Sequence, residues 1–134
     1  MSTVKVLDNA DATIKYIEEA NVIHAEFEAS IAGESLRHAL NAGVDVMRKH
    51  GANKWLSDNR KVPPLSDEDT EWINTHWVRD AIASGWQYWA LVVPQDIRAR
   101  MNLNDIVKQF YDQGVRVMVF TDPDEAMTWL KKVE

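Results

Sequence analysis

Hydrophobic and polar positions alternate with a period of two along the first part of the chain, in three runs separated by short polar breaks. The runs cover residues 3–8, 13–18 and 22–28. In the third run Ile23, Ala25 and Phe27 occupy alternate positions, and the positions between them are mostly polar. This alternation predicts a strand that is covered on one face only. Short polar connections between such runs are typical of antiparallel hairpins.

From residue 34 the apolar positions follow a helical period, and helices and strands then alternate to the end of the chain. Leu36, Leu40 and Met47 share one stripe of the first helix. Gly43 lies in the middle of that stripe and predicts a close approach of helix to sheet, because glycine costs about 1 kcal/mol there relative to alanine. The predicted helices cover residues 34–50, 66–84, 102–113 and a last segment opened by the capping residues Asp122 and Pro123. The predicted strands of this part cover residues 52–58, 87–93 and 115–120.

The resulting order, βββαβαβαβα, predicts an α/β fold in one domain that spans residues 1–134. Strand–helix–strand units require parallel strands with helices on the sheet faces. We therefore expect a mixed, mostly parallel sheet with an antiparallel N-terminal part, flanked by four helices. The nearly continuous apolar runs 87–93 and 115–120 predict two central strands, both parallel neighbours of the strand 52–58.

Composition and charge narrow the classes of function. The net charge is −6 and the 15 basic residues form no long run, which argues against nucleic acid as a partner. No apolar run approaches the length of a membrane span, and residues 1–5 contain no apolar signal core, so we expect a cytoplasmic protein. The chain has no cysteine, and its four histidines lack the spacing of metal ligands. Without a glycine-rich nucleotide loop or a nucleophile elbow, the sequence predicts no metal, no cofactor and no catalysis.

The segment that follows the strand 52–58 is the first place to look for a binding site, because ligands collect beyond the carboxyl ends of parallel strands. A mixed polar cluster stands there, and we predict that it contacts a ligand or a partner; it consists of Ser57, Asp58, Asn59 and Arg60, followed by Lys61. The alternative is a solvated loop in which aspartate and asparagine side chains accept hydrogen bonds from backbone amides.

Ser66 and Trp72 are the other two candidate site residues. Ser66 precedes three acidic residues at a helix start, which predicts a helix N-cap; phosphorylation of this hydroxyl is the alternative. At 100° per residue Trp72 falls opposite the inward face of its helix, so it either covers a loop or meets a partner. It is one of six tryptophans, which fill the core or contribute to an interface.

The last part of the chain, Phe120-Thr-Asp-Pro-Asp-Glu-Ala-Met-Thr-Trp-Leu130, resembles the strand, acidic turn and helix that close members of the SpoIIAA-like branch of the STAS superfamily. The strand end Trp55-Leu-Ser-Asp58 also resembles that family. The resemblance implies a mixed sheet of four to six strands without metal or catalysis. It implies either protein binding of the anti-sigma-antagonist kind or a lipid-exchange pocket as in the related CRAL-TRIO fold. Family members are phosphorylated on a serine at a helix start, for which Ser57 and Ser66 are the candidates; neither stands in the family's Asp-Ser pair.

Two functions are therefore open. The first is a non-enzymatic interaction or regulatory domain with a protein partner, which forms a homodimer. The alternative is a domain that binds a small apolar, lipid-like ligand between the helices 66–84 and 102–113. A cavity of roughly 300 Å³ or more favours the ligand, whereas a flat tryptophan-bearing contact between two copies favours the interaction domain.

Overall fold

The computed structural model describes residues 3–133, which form one six-stranded sheet with helices on both faces. The strands are β1 (Thr3–Asp8), β2 (Ala12–Ile17), β3 (Val22–Phe27), β4 (Lys54–Asp58), β5 (Tyr88–Val92) and β6 (Arg116–Phe120). Their order across the sheet is their order along the chain. β1, β2 and β3 pair in antiparallel fashion, and β3 to β6 are parallel. The predicted α/β class and the mixed sheet with an antiparallel N-terminal part are confirmed.

Most helices stand where the hydrophobic pattern predicts them. They are α1 (Gly33–His50), α2 (Asp67–Trp72), a π-helical turn (Ile73–Trp77), α3 (Val78–Ala83), α4 (Gln95–Arg100), α5 (Leu103–Tyr111) and α6 (Pro123–Lys132). α2, the π-helical turn and α3 follow one another without a break and form the helix predicted over residues 66–84; we call them the continuous helix. The prediction missed α4, which has no buried residue and therefore no apolar stripe in its sequence.

The position of β6 differs from the prediction. β6 pairs with β5 and, being last in the strand order, lies at the edge of the sheet, so residues 115–120 are not a central neighbour of β4. Helices α5 and α6 both contact β6. Val117 and Val119 are buried on the face that belongs to the larger apolar core, whereas Arg116 and Met118 on the opposite face are exposed. The apolar run of this strand therefore reflects coverage of one face by a helix and not a strand on either side.

The sheet separates two apolar layers. The larger layer lies on the face that carries Ile23, Trp55 and Leu91, which we call the α1 face; α1, the continuous helix and α5 cover it. The smaller layer lies on the opposite face, the α6 face, where Leu56 and Val92 pack against α6. The third strand is covered as predicted: Ile23, Ala25 and Phe27 are buried, whereas the polar residues between them keep part of their surface exposed.

Gly43 of α1 lies directly against the indole ring of Trp55 on β4. A Cβ atom on Gly43 would overlap the ring atoms Cη2 and Cζ3 of Trp55, which is fully buried. The close approach of helix to sheet that Gly43 predicts is therefore confirmed.

Candidate functional site

A mostly apolar cavity of about 330 Å³ lies on the α1 face between the continuous helix and α5, open to solvent on one side. This is the place where the sequence predicted an apolar pocket. The carboxyl end of β4 and the loop that follows it form a third wall, through Ser57, Asn59 and Leu65. The cavity thus lies at the edge of the sheet where parallel α/β folds bind their ligands.

Aromatic rings form one wall of the cavity, and each of them contacts the next. The ring centroids of Trp77 and Trp86 are 5.3 Å apart, those of Trp86 and Trp89 5.5 Å, and those of Trp89 and Phe110 5.0 Å. Trp55 extends the row behind the cavity, with its centroid 5.1 Å from that of Trp77. We call these five residues the aromatic row. Its edge-to-face and tilted geometries are those that aromatic pairs favour, with about 0.5–1.5 kcal/mol per pair beyond the burial of area.

Hydrogen bonds fix the indole rings of this wall. Trp77 donates its indole N–H to the carbonyl oxygen of Leu40 at 2.9 Å. Trp86 donates to the carbonyl oxygen of Tyr88 at 3.1 Å. Trp89 donates to the hydroxyl oxygen of Ser57, also at 3.1 Å. With their N–H groups engaged, the rings present apolar surface to the cavity.

The π-helical turn stands where the continuous helix meets the cavity. The N–H of Val78 donates to the carbonyl of Ile73, five residues earlier, and Ile73, Asn74, Trp77 and Val78 all line the cavity. Such turns are rare and occur frequently at functional sites.

The predicted polar cluster at the end of β4 is divided by the pleat of the strand. Ser57 and Asn59 line the cavity, whereas Asp58 and Arg60 lie on the α6 face. Successive side chains of a strand point to opposite faces, so four adjacent polar residues cannot serve one site. Within residues 3–133 the buried Oδ1 atom of Asn59 has no hydrogen-bond partner.

Asp58 and Arg60 form a bidentate ion pair, with Nε–Oδ1 and Nη2–Oδ2 distances of 2.9 and 2.8 Å. Burial raises the pKa of the Asp58 carboxyl, but the hydrogen bonds and charge of Arg60 outweigh it, so this pKa lies below its ordinary value. His24 lies nearby, and burial lowers the pKa of its imidazole. The adjoining pocket of about 60 Å³ equals the volume of about two water molecules, which is too small for an organic ligand.

Ser66 and Trp72 do not line the cavity. The Ser66 hydroxyl accepts a hydrogen bond from the N–H of Asp69 at 3.1 Å, which confirms the predicted N-cap. The buried carboxylate of Asp69 in turn accepts from the N–H of Gly33 at 3.1 Å and ties the start of α2 to the start of α1. The half-buried Trp72 ring lies under the guanidinium group of Arg37, 5.2 Å from the ring centroid. A partner contact of Trp72 and phosphorylation of Ser66 stay predictions.

The residues that shape the cavity are mainly those that the sequence pattern placed in the core. No short sequence motif identifies the aromatic residues of the cavity, because they come from four different elements or loops: Trp77, Trp86, Trp89 and Phe110. The surplus of tryptophan is the one sequence signal that relates to them.

The described residues contain no group of three or more histidine, aspartate or glutamate side chains arranged to hold a metal ion. Over the same residues, every helix is too short or too polar to cross a bilayer. No protein-family model, curated protein or solved structure matches this chain. The resemblance to the SpoIIAA-like branch therefore stays a resemblance.

Proposed function

We propose that this protein binds a small apolar molecule in the cavity between the continuous helix and α5, without catalysing a reaction on it. The observation that supports this function best is the cavity itself. Its volume of about 330 Å³ lies in the range of small-molecule sites, which are largely apolar with a few polar groups. Protein interiors otherwise hold few voids larger than a water molecule, because unfilled apolar space forfeits packing.

The cavity combines exposed polar residues with buried apolar walls, which suits the binding of an apolar molecule from solution. Asn74 on the π-helical turn and Gln109 on α5 are exposed at the mouth, whereas Leu36, Leu40 and Trp86 are buried at the walls. A polar rim around an apolar interior lets the mouth stay hydrated while the interior excludes water.

Titration with naphthalene, followed by tryptophan fluorescence and calorimetry, tests this function. We expect saturable binding with one site and a dissociation constant of about 0.01–1 mM, the range that a small apolar compound achieves in a preformed site. Naphthalene should also raise the midpoint of thermal unfolding, because it binds only the folded state.

A matched pair of variants on α5 controls this experiment. Ile106 lines the cavity and is half-buried, so Ile106→Trp should fill the space and abolish binding. Val107, the next residue, is exposed and does not line the cavity, so Val107→Trp should bind as the unaltered protein does. Unsaturable binding to the unaltered protein, or equal binding to both variants, contradicts the proposal.

The interaction domain, with a protein partner and a homodimer, is the second candidate. The observation in its favour is the half of the α6 face formed by β1 to β3, where Lys15, His24 and Glu26 keep exposed surface while α6 packs on β4, β5 and β6. We expect sedimentation at high micromolar concentration to give a dimer. The sequence predicts Trp72 in the contact, so Trp72→Ala should shift the protein toward monomer, whereas a dimer formed through the β1–β3 surface should be unaffected by this change. A monomeric unaltered protein contradicts this candidate and leaves the ligand-binding proposal intact.

A further inference from the structure

We propose that the ligand of the cavity is a neutral, flat aromatic compound that carries one hydroxyl group. This inference rests on the proposed function and specifies the chemistry of the same site. Four features of the cavity lead to it: the shape of its walls, its size, the absence of charge among its lining residues, and the two polar groups at the end of β4.

The walls favour a flat ligand. Trp77, Trp86, Trp89 and Phe110 line the cavity through rings whose N–H groups, where present, are already engaged in hydrogen bonds. A flat aromatic ligand gains offset or edge-to-face contacts with these rings beyond the burial of its area. A flexible chain would lose conformational entropy on entering the same space and gain no such contacts.

The size of the cavity limits the part of a ligand that it can enclose. A volume of about 330 Å³ corresponds to about eleven water molecules at liquid density, so a ligand of on the order of ten to fifteen non-hydrogen atoms fills it. One or two fused rings match this volume. A lipid with long acyl chains extends beyond this volume.

The cavity lining is neutral, which disfavours ionic ligands. Every residue that lines the cavity is neutral: the set consists of apolar and aromatic side chains with Ser57, Asn59, Asn74 and Gln109. An anion or a cation would lose its hydration there without meeting an opposite charge, which is costly. A carboxylate, a phosphate or an ammonium group is therefore disfavoured at the inner end of the cavity.

Ser57 and Asn59 together match a hydroxyl group. The Oδ1 atom of Asn59 is buried without a partner among the described residues and needs a donor. The Ser57 oxygen accepts from Trp89, which leaves the proton of the Ser57 hydroxyl available to donate. Both residues line the cavity and are two positions apart in the chain, and in this proposal one ligand oxygen donates to Asn59 and accepts from Ser57. A phenolic or similar hydroxyl meets both requirements.

Calorimetric titration with naphthol, naphthalene and naphthoate at neutral pH tests this inference. We expect naphthol to bind about tenfold more tightly than naphthalene, the gain from satisfying a buried acceptor, and naphthoate to bind at least tenfold more weakly than naphthol. In Asn59→Leu, naphthol and naphthalene should bind with equal affinity, because the acceptor that distinguishes them is gone. Asn104→Leu, on an exposed site of α5 away from the cavity, should keep the tenfold preference.

The outcomes separate the two proposals. If neither naphthalene nor naphthol binds, the proposed function and this inference both fail. Equal affinity for naphthol and naphthalene overturns the hydroxyl recognition and leaves the proposed function standing. Tighter binding of naphthoate overturns the neutral ligand. A preference for naphthol that survives in folded Asn59→Leu overturns the role of Asn59. The comparison of naphthol, naphthalene and naphthoate on the unaltered protein tests the neutral, hydroxylated ligand without any variant.

Discussion

Val117→Asp is expected to prevent cooperative folding. Val117 is 3% exposed on β6 and faces the larger apolar layer, so an aspartate there would be surrounded by apolar side chains. An unpaired buried charge costs several kcal/mol, which is comparable with the 5–15 kcal/mol by which domains of this size are usually stable. Far-ultraviolet circular dichroism and a thermal melt measure the result.

Met118→Asp is the matched control, because it introduces the same group one residue later. Met118 is 43% exposed and lies on the other face of the same edge strand. We expect its free energy of unfolding to change by less than about 1 kcal/mol. Cooperative unfolding of Val117→Asp with a similarly small loss would show that β6 is rotated or shifted from the register described here.

Gly43→Ala should lower the free energy of unfolding by about 1–3 kcal/mol or more, although alanine favours the helix more than glycine does. The new methyl group overlaps the indole ring of Trp55, which is fully buried, so the ring or the helix must shift to accommodate it. Overpacking of this kind costs more than the gain of about 1 kcal/mol in helix propensity. Denaturant melts of the purified variant measure the difference.

A second substitution separates the overlap from other effects of Gly43→Ala. Trp55→Phe removes the outer ring atoms that the methyl group meets. In that background we expect Gly43→Ala to become neutral or stabilising, so the two changes should couple by more than 1 kcal/mol. Additive losses would mean that Gly43 is required for a reason other than its contact with Trp55.

Most helices and strands of the fold can be predicted from local patterns in the sequence. The alternation in residues 22–28 and the glycine at position 43 both report a contact with the sheet or the core, and both predictions are confirmed. The capping residues of α6 are also confirmed, since the Asp122 carboxylate accepts from the N–H of Asp124 at 2.9 Å and Pro123 opens the helix.

Strand order is not contained in such patterns. In β6, Val117 and Val119 are buried on one face and the equally apolar Met118 is exposed on the other, so its sequence looks like that of a strand buried on both faces. Pairing between strands uses backbone groups, which every residue carries. The pattern therefore predicted the strand and missed its place at the edge.

The candidate site was located from the sequence only in part. The end of β4 is correct as a region, and Ser57 and Asn59 line the cavity, but the pleat turns Asp58 and Arg60 to the other face. The aromatic row depends on contacts between residues that lie far apart in the chain, such as Trp55 with Trp77 and Trp89 with Phe110. The composition shows that the chain is rich in tryptophan, but it does not show that these rings contact one another in the folded protein.

The π-helical turn has a consequence for how the length of this chain can change. A π-helical turn contains one residue more than an α-helical turn, so the loss of one residue there restores ordinary helical hydrogen bonding between α2 and α3. The same deletion in α1 would rotate every later residue by about 100° and move its apolar stripe off the sheet. We therefore expect the fold to tolerate the deletion of one residue at this turn, which borders the cavity. Changes of length at this turn would alter the cavity wall while the helix on either side keeps its packing.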